Sequence, residues 1–326
     1  MSRAAPAPRD LSAATTAGHA VRMPRIGAHM STAGGVSRAV ERAALHGCET
    51  LQIFTRNANQ WRGRPLEAAE IDRFRTLVAE HGLHPVVSHA SYLINVASAD
   101  PALRQQSMAA LVDELARADA LGLHGVVLHP GACTSGTEED ALALVAEAID
   151  EVFAVHPPGT ARLLLEHTAG QGRTIGYRFE HLAAILDRCR SPERLGVCLD
   201  TCHLLAAGYD LTTDDGFAAT FEAFERTVGF ERLFVVHVND SKKPLGSRVD
   251  RHEHIGRGFV GEGGFLRLFA DPRFERLPFL LETPKSKDIG KPNAIERDPL
   301  DEENLGVLRR LRAAAGVDVV PGAGAR

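Results

Sequence analysis

From position 25 onward, apolar residues recur in two alternating patterns: short unbroken runs, and longer stretches with helical spacing. The short runs occupy 25–29, 50–54, 85–89, 125–129, 162–166, 195–200, 233–237 and 278–282, and they read as strands. Between them the spacing predicts a helix from Gly35 to about His46. Another carries Ile71, Phe74, Leu77 and Val78 on one side and stops at Gly82. Further helices follow at about 101–121, with Asp100 as cap and Pro101 in the first turn, and at about 138–155, 214–228 and 300–314. Eight strand-then-helix units in one chain imply an α/β protein built as a closed (β/α)8 TIM barrel. An open doubly wound sheet is the alternative, but the sequence lacks the glycine fingerprint of a dinucleotide fold.

Composition changes this picture little. The 326 residues suit one barrel, with 44% apolar and 24% charged residues, and no apolar run reaches membrane-spanning length. Residues 1–22 are rich in Ala, Pro, Arg and Thr and read as a flexible extension; 23–316 form the single barrel domain, and 317–326 a loose tail. Five scattered cysteines, Cys48, Cys133, Cys189, Cys198 and Cys202, argue for reduced thiols in a cytoplasm rather than a disulfide framework. A net charge of −5 disfavours a nucleic-acid partner, unless several carboxylates are committed to metal ions.

The strand ends carry the chemistry. Seven of the eight runs finish on His29, His89, His129, Glu166, Asp200, His237 or Glu282. A barrel brings the C-terminal ends of its strands to one face, where active sites sit. A single histidine on an apolar strand is more often a satisfied core residue than a ligand. Seven coincident His, Asp and Glu at one mouth would leave an unpaired polar cluster, so they read as a metal site. Asp200 and His203, three apart, fit that reading; the plainer one is a strand-end Asp capping the next turn. Cys198 and Cys202 read as packing residues beside Asp200, with soft metal ligation as the alternative. A later Asp250-x-His252 pair with His203 would supply a second, three-ligand set. A solvated charged loop is the competing reading there. Such ligands suit Zn²⁺, with Mn²⁺ or Fe²⁺ as alternatives. Metals sharing a carboxylate are how nucleases and phosphatases handle in-line displacement at phosphorus.

Several long segments resemble one family. His89-Ala-Ser-Tyr-Leu-Ile-Asn, Leu128-His-Pro-Gly, Glu166-His-Thr-Ala-Gly-Gln-Gly, Gly196-Val-Cys-Leu-Asp-Thr-Cys-His-Leu-Leu-Ala-Ala-Gly-Tyr-Asp, His237-Val-Asn-Asp-Ser-Lys and Ser247-Arg-Val-Asp-Arg-His are similar to endonuclease IV, the zinc-dependent apurinic/apyrimidinic (AP) endonucleases of base-excision repair. The resemblance spans about 25–311. It implies three zinc ions per chain, with Mn²⁺ an alternative at one or more positions. His89, His129 and Glu166 would hold the first; Glu166 would bridge to a second held by Asp200, His237 and Glu282. His203, Asp250 and His252 would hold the third. It also implies cleavage of double-stranded DNA 5′ to an abasic site, with trimming of blocked 3′ ends. Glu166 and Glu282 would serve catalysis as bridging or orienting carboxylates.

The same resemblance makes Tyr92 and Leu93 a wedge into the base stack, with Gln60 and Trp61 on a neighbouring loop. Ordinary loop anchoring is the plainer reading of Tyr92 and Leu93. Asn59 stands where the family often has arginine, so Arg56 or Arg62 would substitute, or the wedge would be weaker. His167 replaces a common asparagine. Lys242, Lys243, Arg248, Arg251 and Arg257 read as phosphate contacts, or alternatively as a solvated basic loop. A monomer in the cytoplasm, associated with the nucleoid through DNA, is the expected state. A sugar isomerase or epimerase on a similar barrel, and a non-catalytic lesion binder, are the competing functions.

Overall fold

The computed structural model describes residues 24–286 and 294–316; the expected extension at 1–22 and tail at 317–326 lie outside the described residues. Eight parallel strands close into a barrel: β1 (Arg25–Met30), β2 (Thr50–Ile53), β3 (Val86–His89), β4 (Gly125–Leu128), β5 (Arg162–Glu166), β6 (Leu195–Asp200), β7 (Leu233–His237) and β8 (Pro278–Leu281). Each pairs with its neighbours in chain order, and β8 returns to β1 through Arg25 opposite Pro278. Helices α1 (Val36–Leu45), α2 (Ala68–Glu80), α3 (Pro101–Leu121), α4 (Glu138–Val155), α5 (Phe179–Arg188), α6 (Thr201–Ala207), α7 (Asp214–Thr227), α8 (Gly261–Ala270) and α9 (Pro299–Ala314) accompany the strands.

Side-chain alternation on the strands sorts the core into two layers. Val87, Val127, Leu164, Cys198, Val235 and Leu280 fill the inside of the barrel. Their neighbours Val86, Val126, Leu163, Val197, Leu199, Val236 and Leu281 face outward and join the larger core beneath the helices. A step of two residues keeps a side chain on the same face. Counting two residues on from each inward plug gives His89, His129, Glu166, Asp200, His237 and Glu282. The apolar plug thus forms the floor on which six polar side chains stand.

The anticipated helices keep their expected ends within a residue or two. Asp100 accepts from the Ala102 amide with Pro101 at the first position, and Gly122 ends α3 in the left-handed region at φ 73. Thr137 and Asp140 close a reciprocal capping box at the start of α4. Three helices escaped the sequence pattern. α6 is seven residues long and starts directly after β6, so the strand alternation stops at Asp200 and does not extend to Cys202. α5 hides behind the glycine-rich turn, and α8 opens with three glycines in its first four residues. All five cysteines are buried and free. Among the described residues, no helix is long and apolar enough to cross a membrane.

Candidate metal centre

The barrel mouth gathers the expected side chains into sets whose ligand atoms lie within 4.8 Å of one another. One set is His89, His129 and Glu166; another is Glu166, Asp200, His237 and Glu282. Glu166 belongs to both. Its Oε2 lies 3.0 Å from His89 Nε2 and 3.1 Å from His129 Nε2, while its Oε1 lies 3.1 Å from His237 Nδ1. A third set joins Asp200, His203 and His252; Asp250 Oδ2 is 3.2 Å from His203 Nε2 and Oδ1 is 3.4 Å from His252 Nε2.

Four histidines have one ring nitrogen committed to an oxygen acceptor. His89 Nδ1 donates to the Ala90 carbonyl, His203 Nδ1 to the His167 carbonyl, His252 Nδ1 to the Glu282 carbonyl and His237 Nε2 to Gln52 Oε1, at 2.7–3.1 Å. A neutral imidazole then presents a bare lone pair on its other nitrogen. In each case that nitrogen faces carboxylate oxygen. Lone pairs facing carboxylates repel unless a cation lies between them. Among the described residues, His203 Nε2 and His252 Nε2 are buried with no hydrogen-bond partner. This donor set, of imidazoles held by carbonyls and interleaved with carboxylates, fits Zn²⁺.

Local structure explains how several candidate ligands are aimed. Asp200 is both cap and candidate ligand: Oδ1 accepts from the His203 amide at 2.9 Å, at the start of α6, while Oδ2 takes the Asn239 side-chain amide at 2.6 Å. The plain capping reading of Asp200 and its role at the mouth therefore coexist. After β7, Asp240–Ser241 pairs antiparallel with His252–Glu253, which turns His252 toward the mouth. Buried Asp240 pins this ribbon by accepting from the amides of Ser241, Gly256, Gly258 and Val260 at 2.8–3.0 Å. A Cβ at Gly258 would lie 2.4 Å from the Ser241 carbonyl, so only glycine lets the loop close this tightly. The Asp250 amide donates to Gln171 Oε1 at 2.9 Å, tying the loop to the glycine-rich turn after β5.

Charge is strongly organised here. Burial works to raise the Glu166 pKa, but His129 and His237 overcome it and hold the carboxyl well below its usual range. Burial would lower His203, yet Asp200, Asp250 and Glu166 carry it well above the ordinary imidazole value. Asp250 is opposed by burial as well, and His203 and His252 bring it down to about 2.

Several expected site residues lie elsewhere. His29 sits inside β1, not at its end, and joins none of the ligand sets; Gln52 Nε2 is 3.1 Å and Glu282 Oε1 3.6 Å from its Nδ1. Arg56 cannot replace the missing loop arginine, because its side chain is buried against Glu114. Arg248 lies over the Tyr177 ring at 4.1 Å and donates to the Gly170 carbonyl, and Arg257 pairs with Glu303. Those two arginines hold loop structure in addition to any solvent-facing role. Tyr92 is 63% exposed, with its ring 5.5 Å from that of His89. Leu93 is half-buried beside it, and Asn59, Gln60, Lys243 and Arg251 are exposed.

Cys198 belongs to the inner plug, and burial pushes its thiol up to about 12. Cys202 offers its sulfur in a further set with Asp250 and His252, and burial raises its thiol to about 12 as well. Sequence reasoning passed over Asn239 and Gln52. Asn239 donates to Asp200 and accepts from the Glu282 amide at 2.7 Å. Its signal was the polar step two residues beyond His237, on the same face.

A family profile described as Xylose isomerase-like TIM barrel matches residues 40–311. A protein from Trichlorobacter lovleyi named probable endonuclease 4 is 47% identical over 286 residues, covering 88% of this chain and 99% of that one. The crystal structure of endonuclease IV from Thermus thermophilus superposes with a TM-score of 0.76 at 41% identity, over 89% of this chain and 100% of that one. A D-tagatose 3-epimerase-like protein superposes at 0.66 with 17% identity over 90% of this chain and 98% of that one, a likeness of fold alone. With the shared barrel and this length of shared sequence, the chain belongs to the endonuclease IV family of the xylose isomerase-like TIM barrels.

Proposed function

We propose that this protein is an AP endonuclease that hydrolyses the DNA phosphodiester 5′ to an abasic site, leaving a 3′-hydroxyl and a 5′-deoxyribose phosphate. It would use three zinc ions, trim blocked 3′ ends and act in base-excision repair. The observation that carries this reading is Glu166, whose two oxygens face separate histidine sets while a third set closes over Asp250. Three adjoining cation sites match the spread of charge on a phosphodiester in displacement; a sugar epimerase has no evident use for the third.

His89, His129 and Glu166 would hold one zinc, Glu166, Asp200, His237 and Glu282 a second, and His203, Asp250 and His252 a third. Bound there, zinc supplies Lewis acidity, activating water and offsetting charge on phosphate oxygens. The chain's own residues do the rest. Carbonyl and amide partners fix four of the five imidazoles, His89, His203, His237 and His252, so that the bare nitrogen faces inward. Glu166 and Glu282, both held below the ordinary carboxylate range, would act as bridging or orienting carboxylates more than as proton shuttles.

Tyr92 stands at the rim of this mouth, its ring near those of His89 and His129. With Leu93 it would enter the base stack, a step least costly where a base is already missing. Asn59 and Gln60 would meet the same lesion from the loop after β2. Arg251 and Lys243 would position the backbone without reading sequence.

The test is a duplex carrying one tetrahydrofuran abasic analogue, incubated with the zinc-loaded protein. The analogue cannot undergo β-elimination, so a nick on its 5′ side indicates hydrolysis. Binding without a cut would support a lesion-binding protein instead. Neither binding nor cutting would return the epimerase reading to the front.

A further inference from the structure

β2 brings no candidate ligand to the mouth, yet it carries a fully buried amide, Gln52, pointing inward. Gln52 Nε2 donates to Glu282 Oε1 at 2.5 Å, and its Oε1 lies 2.8 Å from His237 Nε2. The second hydrogen on Nε2 reaches His29 Nδ1 at 3.1 Å. These contacts fix the amide's orientation, because a carboxylate oxygen can only accept. The nitrogen must therefore face Glu282, and the oxygen must face His237.

Three consequences follow. His237 must carry a proton on Nε2 to satisfy Gln52 Oε1, which leaves Nδ1 as its bare nitrogen in the neutral ring. That Nδ1 lies 3.1 Å from Glu166 Oε1 and 3.2 Å from Glu282 Oε2. Glu282 has Oε1 occupied by the amide, so Oε2 is the oxygen left to face Nδ1. One side chain thus selects one atom on each of two neighbouring ligands. His29, accepting from the same amide on the strand next door, holds Gln52 in place.

We propose that Gln52 is a positioning residue for the metal centre: it sets the tautomer of His237 and the presenting oxygen of Glu282. This rests on the reading of His237 and Glu282 as zinc ligands. Partners behind metal ligands typically change metal affinity or activity by about 10–100-fold when removed.

The experiment compares wild type with Gln52→Met, which keeps the volume and loses both hydrogen bonds, and with Gln52→Glu. Glutamate can still accept from His237 but sets a second carboxylate against Glu282 Oε1. Each protein is loaded with zinc and titrated with a chelator, and bound metal is counted. Cleavage of the tetrahydrofuran duplex is resolved into kcat and KM. Both variants should fold and hold one zinc about 10–100-fold less tightly, with kcat reduced and KM little changed. ¹⁵N-histidine spectra of the zinc-loaded wild type should show His237 with a proton on Nε2 and metal on Nδ1.

Wild-type chelator resistance and kcat in Gln52→Met would overturn the proposal, as would metal on His237 Nε2. If Gln52→Met fails to fold, Gln52→Glu and the wild-type spectrum still decide. Wild type that binds no zinc at all would instead sink the metal reading itself, a distinguishable failure.

Discussion

Arg56 Nε donates to Glu114 Oε1 across 2.8 Å, with both side chains about 1% exposed. The same guanidinium donates to the carbonyls of Gln60 and Trp61, and Thr55 Oγ1 donates to Glu114 Oε2 at 2.6 Å. A buried ion pair from the loop to Glu114 on α3 thereby holds the segment that presents Asn59 and Gln60. Glu114→Ala takes the nearest carboxylate from a buried guanidinium, leaving it two loop carbonyls and Asp113 at 3.9 Å, so it should cost about 1.5–3 kcal/mol in urea unfolding. Replacing the pair together, Arg56→Met with Glu114→Leu, should recover much of that stability. A loss below about 1 kcal/mol for Glu114→Ala would show that the pair does not hold the loop.

Glu282 follows β8 at the mouth, in reach of His237 Nδ1 and Gln52. Burial opposes its charge, but His237, His29 and His89 hold its carboxyl far below the ordinary range. Glu282→Gln removes the negative charge and keeps the shape. Cleavage of the abasic duplex should fall at least about 100-fold while the circular dichroism spectrum is retained. Unchanged turnover would take Glu282 out of the site.

Six candidate ligand positions, His89, His129, Glu166, Asp200, His237 and Glu282, were legible in sequence for a geometric reason. Each one stands two residues beyond an apolar plug residue on the same strand face, as Glu166 follows Leu164 and His237 follows Val235. A closed barrel then makes distant strand ends neighbours without further information. What stayed hidden depends on partners that no local pattern names. Arg56 reads as a loop cation until Glu114, 58 positions away, is seen to bury it. His29 looks like a strand-end ligand, but β1 runs one residue further and turns it to Gln52. Gln52 itself is a single polar residue in a short apolar run, and its meaning lies in Glu282, 230 positions later.

Asn59 is exposed on a loop whose backbone is already fixed, its amide donating to Asn57 Oδ1 at 2.9 Å. With Arg56 buried, the nearby candidates for contact with unstacked bases are Asn59, Gln60 and Arg62. Asn59→Arg adds a planar cation able to stack on a base at little cost to the fold. A contact worth about 0.5–1 kcal/mol would tighten the abasic duplex about two- to fivefold. Fluorescence anisotropy at one fixed salt concentration, against an intact duplex, measures it. Equal gains on both duplexes would indicate phosphate attraction and count against a lesion contact.

At the opposite end of the barrel, the rings of His84 and His124 meet edge to face at 4.4 Å. Burial pushes His84 down to about 4, and the neighbouring His124 and Arg25 push the same way. His124 is also lowered by burial, and its Nδ1 lies 3.2 Å from the Val86 amide nitrogen and 3.3 Å from the Val86 carbonyl oxygen. Both histidines are therefore neutral in the folded chain at pH values where the unfolded chain would protonate them. For a base with a depressed folded pKa, the unfolded state binds more protons between the two values. His84 is solvent-exposed, which weakens the effect, so stability should be complete above about pH 6.5 and decline only modestly as the pH falls toward about 4. His84→Gln keeps a polar side chain and removes the titration, so its stability should decline less over that window. Urea unfolding of metal-stripped wild type and variant at several pH values isolates the difference, since the mouth is then the same in both. Parallel stability profiles would mean that this pair does not couple folding to protons.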